Sequence, residues 1–348
     1  MGSIRRHGLK PFATYCDTRM QVQALALDPS NYQRHVLHSE DCQWPEKNCY
    51  FDVWIELVHA LGCDPHAMIP VVAALDFEGD QWTFYKPPHN ELRDLYGIDV
   101  TEMTSWRPLI EHALEHLGAG KLIAVETDAW WLPDVAGTDY RRNHVKSTIV
   151  LADVDPGARR LGYFHNASYY SLEGEDFDHT FRMAAQDPAA LPLFAELIRV
   201  DRLVKRSPDD LRARAKQSMR EHLDRRPRDN PVLRFAARFN QELPQLQERG
   251  LEHYHAWAFA TLRQLGSAAE LMALHLRWQV AGGNGVADDA NELATAIAGF
   301  EEISAGAKAF ILKAARAVNT GRAFDASAIF DGWAVAWERS MSALDANY

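Results

Sequence analysis

The chain has 348 residues, 47% hydrophobic and 24% charged, which is enough apolar material for one large domain or two ordinary ones. A formal net charge of −11 argues against nonspecific binding of nucleic acid over the whole surface. No stretch nears the roughly 18 apolar residues of a membrane span, and "MGSIRRHGLKPFATYCDT" lacks the apolar centre of a signal peptide, so a reducing cytoplasm is expected, with neither membrane nor nucleic acid as partner.

The first predicted element is a helix over about 49–62, where Phe51, Val53, Trp54, Leu57, Val58 and Leu61 recur at helical spacing. "MIPVVAALDF" and "DQWTFYKP" read as two strands around the turn Glu78-Gly79-Asp80. "HNELRDLYGI" and "SWRPLIEHALEHLGAG" read as helices, the second stopping at Gly118 and Gly120. "KLIAVETD" is a buried strand. "HVKSTIVLADVD" and "RRLGYFHNAS" are strands joined by the turn Asp155-Pro156-Gly157. After "SLEGEDFD" the pattern turns helical, with helices expected near 188–206, 207–225, 230–247, 250–281, 286–319 and 325–344. The expected fold class is therefore α+β: a mixed domain over 1–175 with an antiparallel sheet, then a helical bundle over 176–348.

The four cysteines, Cys16, Cys42, Cys49 and Cys63, all lie in the first fifth of the chain. A nucleophilic thiol needs a base for its proton, a helix N-terminus that favours the anion, and donors for the oxyanion. Cys49 lies at a predicted helix start, where unpaired N–H groups and the macrodipole supply the second of these. The candidate base is His144, opening a strand 95 residues on, and the candidate orienting group is Asn166 at the end of the next strand. His165, Asp153 and Asp155 are rivals for that role. Gln43, six residues before Cys49, is the candidate side-chain donor to the oxyanion.

This layout resembles that of papain-type enzymes: Cys on a helix, His and Asn on adjacent strands, and a Gln six residues upstream. The usual Cys-Gly-Ser before the nucleophile is Glu46-Lys47-Asn48 here, and the His comes sooner, so the likeness is to the catalytic layout. "LIAVETDAWWLPDVAGTDYRRNHVKSTIVLADVD" also resembles the butirosin-biosynthesis acyltransferase family, through Asp128, Trp130, Trp131, Leu132, Pro133, Tyr140 and His144. The chain is similar, too, to an uncharacterised bacterial family associated with carrier proteins and amino-acid:carrier-protein ligases. The resemblance covers about residues 40–175. It implies a papain-like domain that moves an (amino)acyl group from the phosphopantetheine arm of a carrier protein, through Cys49, to a small amine acceptor. No cofactor bound by the enzyme itself is implied. Asp128, Trp130, Trp131 and Tyr140 would then form the acceptor pocket, the carboxylate holding an ammonium between indole walls. The alternatives are a cysteine peptidase or amidase using the same groups, or a non-catalytic binding protein of a carrier-dependent pathway.

No metal site is expected. "RHVLHSEDC" offers His35, His38 and Cys42, and "EHALEHL" offers His112 and His116, but neither has paired ligands at zinc-site spacing, and the last two are expected to be exposed partners of nearby glutamates. Residues 199–228 hold eleven Lys or Arg against five Asp or Glu. Such a run is ordinarily a solvated helix face; its sharper reading is a dock for an acidic carrier protein, centred on Arg212, Arg214, Lys216 and Arg220.

Overall fold

The computed structural model describes residues 21–183, 191–282 and 287–348; Cys16 and the N-terminal stretch judged for a signal peptide lie outside them. The N-terminal half is an antiparallel sheet of seven strands: β1 (Val22–Gln23), β2 (Asp99–Glu102), β3 (Leu122–Asp128), β4 (Lys146–Asp155), β5 (Arg160–His165), β6 (Ser168–Glu173) and β7 (Ala195–Arg199). Their order is β2-β7-β3-β4-β5-β6, with β1 on the part of β4 that β3 leaves free. Alternation sorts the side chains. Leu122, Ala124, Val150, Ala152, Phe164 and Ile198 face one core, and Ile123, Val125, Ile149, Leu151, Leu161 and Tyr163 face the other.

Helix α1 (Cys49–Ala60) lies on the first face and α3 (Leu109–Gly118) on the second. Between them in sequence is α2 (His89–Tyr96), ended by Gly97 in the left-handed conformation. A short α4 (Glu175–Thr180) follows β6. The helical half comprises α5 (Pro208–Leu223), α6 (Pro231–Ala260), α7 (Leu262–Ala281), α8 (Ala287–Thr320) and α9 (Ser327–Asn347). Its aromatic centre, including Phe235, Phe239, Phe310, Phe330 and Trp333, is continuous with the core under α1. No helix of the described residues is long and apolar enough to cross a membrane.

Several sequence-based elements differ. "MIPVVAALDF" is mostly a 3-10 segment, Pro65–Ala74, and only an isolated bridge, Phe77 to Trp82, survives of the expected strand pair. The expected helix at 188–206 is in part outside the described residues, and its described part is strand β7, between β2 and β3, flanked by irregular chain. Ala-Glu-Leu-Ile-Arg has fair helix propensity, but pairing on both edges outweighs it. The sheet therefore runs past residue 175, to Arg199. The helix break expected at 248–249 is a kink at Gly250, whose φ of +82° glycine adopts freely, and the true end comes at Thr261.

Candidate active site

Asn48 caps α1. Its side-chain oxygen accepts from the Phe51 N–H at 2.8 Å, and its amide donates to the Tyr85 carbonyl at 3.1 Å. Cys49, a free and half-buried thiol, is the first helical residue. The cap uses the Phe51 N–H and leaves those of Cys49 and Tyr50 without intrahelical partners. Tyr50 ties this end of the helix to the sheet, donating to Glu196 on β7 at 2.9 Å.

His144 lies just before β4. Its Nδ1 meets Asp128 Oδ2 at 2.7 Å, and its ring stacks on Trp130 at 4.4 Å. Asp128 ends β3, opposite Lys146, and its other oxygen caps the next turn by accepting from the Trp130 N–H. A carboxylate on Nδ1 holds the proton there and leaves Nε2 as the acceptor, which is the tautomer a general base requires. Counting by twos from Ala124, which faces the core beneath α1, puts Glu126 and Asp128 on the face of the sheet that carries Cys49's helix. No hydrogen bond joins the thiol to the imidazole.

The group on His144 Nδ1 is thus Asp128, not the expected Asn166. Asn166 has a φ of +43° in the two-residue turn between β5 and β6, a left-handed position that Asn tolerates well. Asp128, expected in an acceptor pocket with the tryptophans and Tyr140, accepts from the Trp130 N–H at 3.1 Å; the Trp130 and Trp131 rings meet edge to face at 6.5 Å, and Arg141 lies over both Trp131 and Tyr140. Trp131 is sandwiched between His179 and Arg141, and Tyr140 donates to Asp176 at 2.9 Å. Gln43 is exposed; its main-chain N–H donates to Glu270 and its carbonyl accepts from Lys308.

Sequence reasoning missed the supports of the Cys49 loop. Glu270, on α7, accepts from the N–H groups of Gln43 and Trp44 and from Lys47 Nζ at 3.0 Å. The Lys47 side chain is 0% exposed. Trp44 lies on Gly266, where an added Cβ would come 2.5 Å from the indole, and donates to Ser304 at 3.1 Å. The legible signal is Glu270 as the one acidic residue of α7, on a helix rich in small and apolar residues.

The polar face of α1 is buried under the loop before it. His38 Nε2 meets Asp52 at 3.0 Å and its Nδ1 bonds Glu56, which also accepts from Tyr32 at 2.7 Å. Burial opposes a charge on His38, but the two carboxylates outweigh it and hold the imidazole above its ordinary value. The sign follows: this contribution to stability is complete below the unfolded value of about 6.5 and is lost as pH rises through the raised folded value. Urea midpoints between pH 6 and 9 should fall for the wild type and flatten in His38→Gln; an already flat wild-type profile would contradict a charged His38.

On the opposite face of the sheet, Ser147 Oγ lies 2.6 Å from His165 Nε2, and His165 Nδ1 2.6 Å from Asp134. The order is that of a serine triad, but the Asp134 and His165 side chains are 2% and 1% exposed. The network pins the 133–135 turn, just beyond Trp130 and Trp131, to the sheet. His112, expected at the surface, is buried against His116, and burial lowers the pKa of both imidazoles. The four residues at the centre of the basic run each have a partner within the chain. Arg212 lies over Trp278, Arg214 pairs with Asp94 and Asp210, Arg220 donates to the Tyr348 main chain, and Lys216 sits over the Tyr348 ring.

No curated protein matches the chain. A family model described as the DUF1839 N-terminal domain matches residues 33–200, which take in the sheet from β2 to β7 and α1, which begins at Cys49. A second, the DUF1839 C-terminal domain, matches residues 208–346, from α5 through most of α9. With both halves matched in order, the chain belongs to the DUF1839 family.

Proposed function

We propose that this protein is a cysteine-dependent acyltransferase that takes an (amino)acyl group from a carrier-protein phosphopantetheine thioester and delivers it to a small amine. The observation that carries this reading is the Asp128–His144 bond, which prepares a base on the sheet face that bears Cys49 at a capped helix start. In the first half-reaction Nε2 of His144 takes the thiol proton and the sulfur attacks the thioester carbonyl. A new C–S bond forms, the pantetheine C–S bond breaks, and the departing sulfur recovers the proton from His144. The amine then attacks the acyl-enzyme, His144 takes its proton, and that proton returns to Cys49 as the C–S bond breaks. The free N–H groups of the first turn of α1, joined by the Gln43 side chain, would receive the oxyanion.

The test is incubation with aminoacyl-loaded carrier protein, read by intact mass. An acyl adduct is expected on the wild type and on Ser147→Ala, and none on Cys49→Ala. An adduct lost in Ser147→Ala but kept in Cys49→Ala would move the chemistry to the other face of the sheet. Release of free acid whatever amine is supplied would make the protein a hydrolase. No adduct and no turnover would leave a binding protein.

A further inference from the structure

We propose that His35, Asp64 and His66 form a binding site for one divalent transition-metal ion of the zinc class. One ligand atom from each residue lies within 4.8 Å of the other two. The three come from two segments, His35 from the loop before α1 and Asp64 with His66 from the start of the Pro65–Ala74 segment, so the set does not show as one ligand motif in the sequence.

Each donor is held in place by its neighbours. Asp64 accepts from the His66 N–H at 3.0 Å, and its second oxygen accepts from the Trp278 indole of α7 at 2.7 Å. The His66 ring stacks on Trp278 with 5° between planes, and its Nδ1 faces Asp64 at 2.8 Å. The His35 ring packs at 5.2 Å from His66 and 5.1 Å from His59, and its one hydrogen-bond contact is a long 3.3 Å from the Leu37 N–H. His35 and His66 thus flank the Asp64 carboxylate, with His59 beside His35.

Two imidazoles and a carboxylate favour zinc, cobalt or nickel over magnesium or calcium, which take oxygen ligands. His59 donates to the Gln33 carbonyl and stands outside the set, so three protein ligands leave at least one position for water. The site is open to solvent without being bare: the side chains of His66 and Asp64 are 13% and 40% exposed. Asp64 and Trp278 also line a surface cavity with Lys205, Arg206 and Arg212. A bound ion would tie the N-terminal loop to the segment that packs on α7. This inference is independent of the thiol chemistry proposed above.

The test uses untagged full-length protein stripped with chelator. Titration with Co²⁺ should give visible d–d absorption that saturates at one equivalent and is displaced by Zn²⁺, and Zn²⁺ should raise the melting temperature. His35→Ala, Asp64→Asn and His66→Gln should each weaken Co²⁺ binding by at least about tenfold, and His116→Ala should not. The wild-type titration is decisive even where a variant fails to fold. Absence of a saturable spectrum at one equivalent, or affinity unchanged in all folded ligand variants, would overturn the proposal.

Discussion

Asp128→Asn is expected to slow acylation of Cys49 by on the order of 10⁴-fold while leaving the fold intact. The carboxylate accepts the Nδ1 proton of His144 at 2.7 Å, and an amide can turn its NH₂ toward that nitrogen instead. The proton would then sit on Nε2, where an acceptor is required, and the imidazolium formed during transfer would lose its counter-charge. The fold should survive because the other role of Asp128 is to cap the Trp130 turn, and Asn caps equally well. Asn166→Ala should change the rate only a few-fold, since a turn residue with no bond to the imidazole contributes only its local conformation. Single-turnover acylation by loaded carrier protein, with melting temperatures measured alongside, separates the two. An active Asp128→Asn with an inactive Asn166→Ala would restore the orienting role to the β5–β6 turn.

The contrast between those two residues shows where sequence reading stops. The α1 start was legible because apolar residues at helical spacing begin at once after Cys49, and the structure adds Asn48 as its cap. β3, β4 and β5 were legible as short runs rich in β-branched and apolar residues between turns. What failed were positions fixed by pairing across the sheet. The pairing of His144 with Asn166 looks to β5, the neighbour of β4 on one edge, whereas the register that matters is the one with β3 on the other edge, where Lys146 stands opposite Asp128. The sign of that pairing was present, a carboxylate ending a buried strand, but it was read as a substrate group. "RRLGYFHNAS" hid a hairpin turn at Asn166 and the start of β6, so the strand seemed longer than it is. β7 and β2 were missed because each is short and neither alternates clearly; their strand identity comes from neighbours far away in sequence. The buried His38–Asp52–Glu56 group was invisible for the same reason: two of its members look like ordinary polar positions of an amphipathic helix.

Glu270→Gln is expected to destabilise the protein by about 3–5 kcal/mol, more than a single hydrogen bond would suggest. Lys47 is fully buried, and its ammonium is held by Glu270 at 3.0 Å and by the Trp44 carbonyl. Neutralising the carboxylate leaves a cation in a site water cannot reach, and it also weakens the acceptor for the N–H groups of Gln43 and Trp44. Both effects fall on the six residues before Cys49. Acylation should therefore drop even under conditions where the variant is folded, because the loop bearing Gln43 and the entry to α1 are no longer fixed against α7. The double variant Lys47→Met/Glu270→Gln distinguishes charge from packing. With the cation removed, much of the lost stability should return, since the methionine stem fills the space of the lysine without needing a counter-ion. Catalytic competence should return less fully, since the neutral amide still holds the Gln43 and Trp44 main chain less tightly. Urea unfolding followed by tryptophan fluorescence measures the first quantity, and the single-turnover assay measures the second. A Glu270→Gln protein within about 1 kcal/mol of wild type, well short of the cost of a broken buried pair, would mean that the helical half does not hold the loop before Cys49 through this carboxylate.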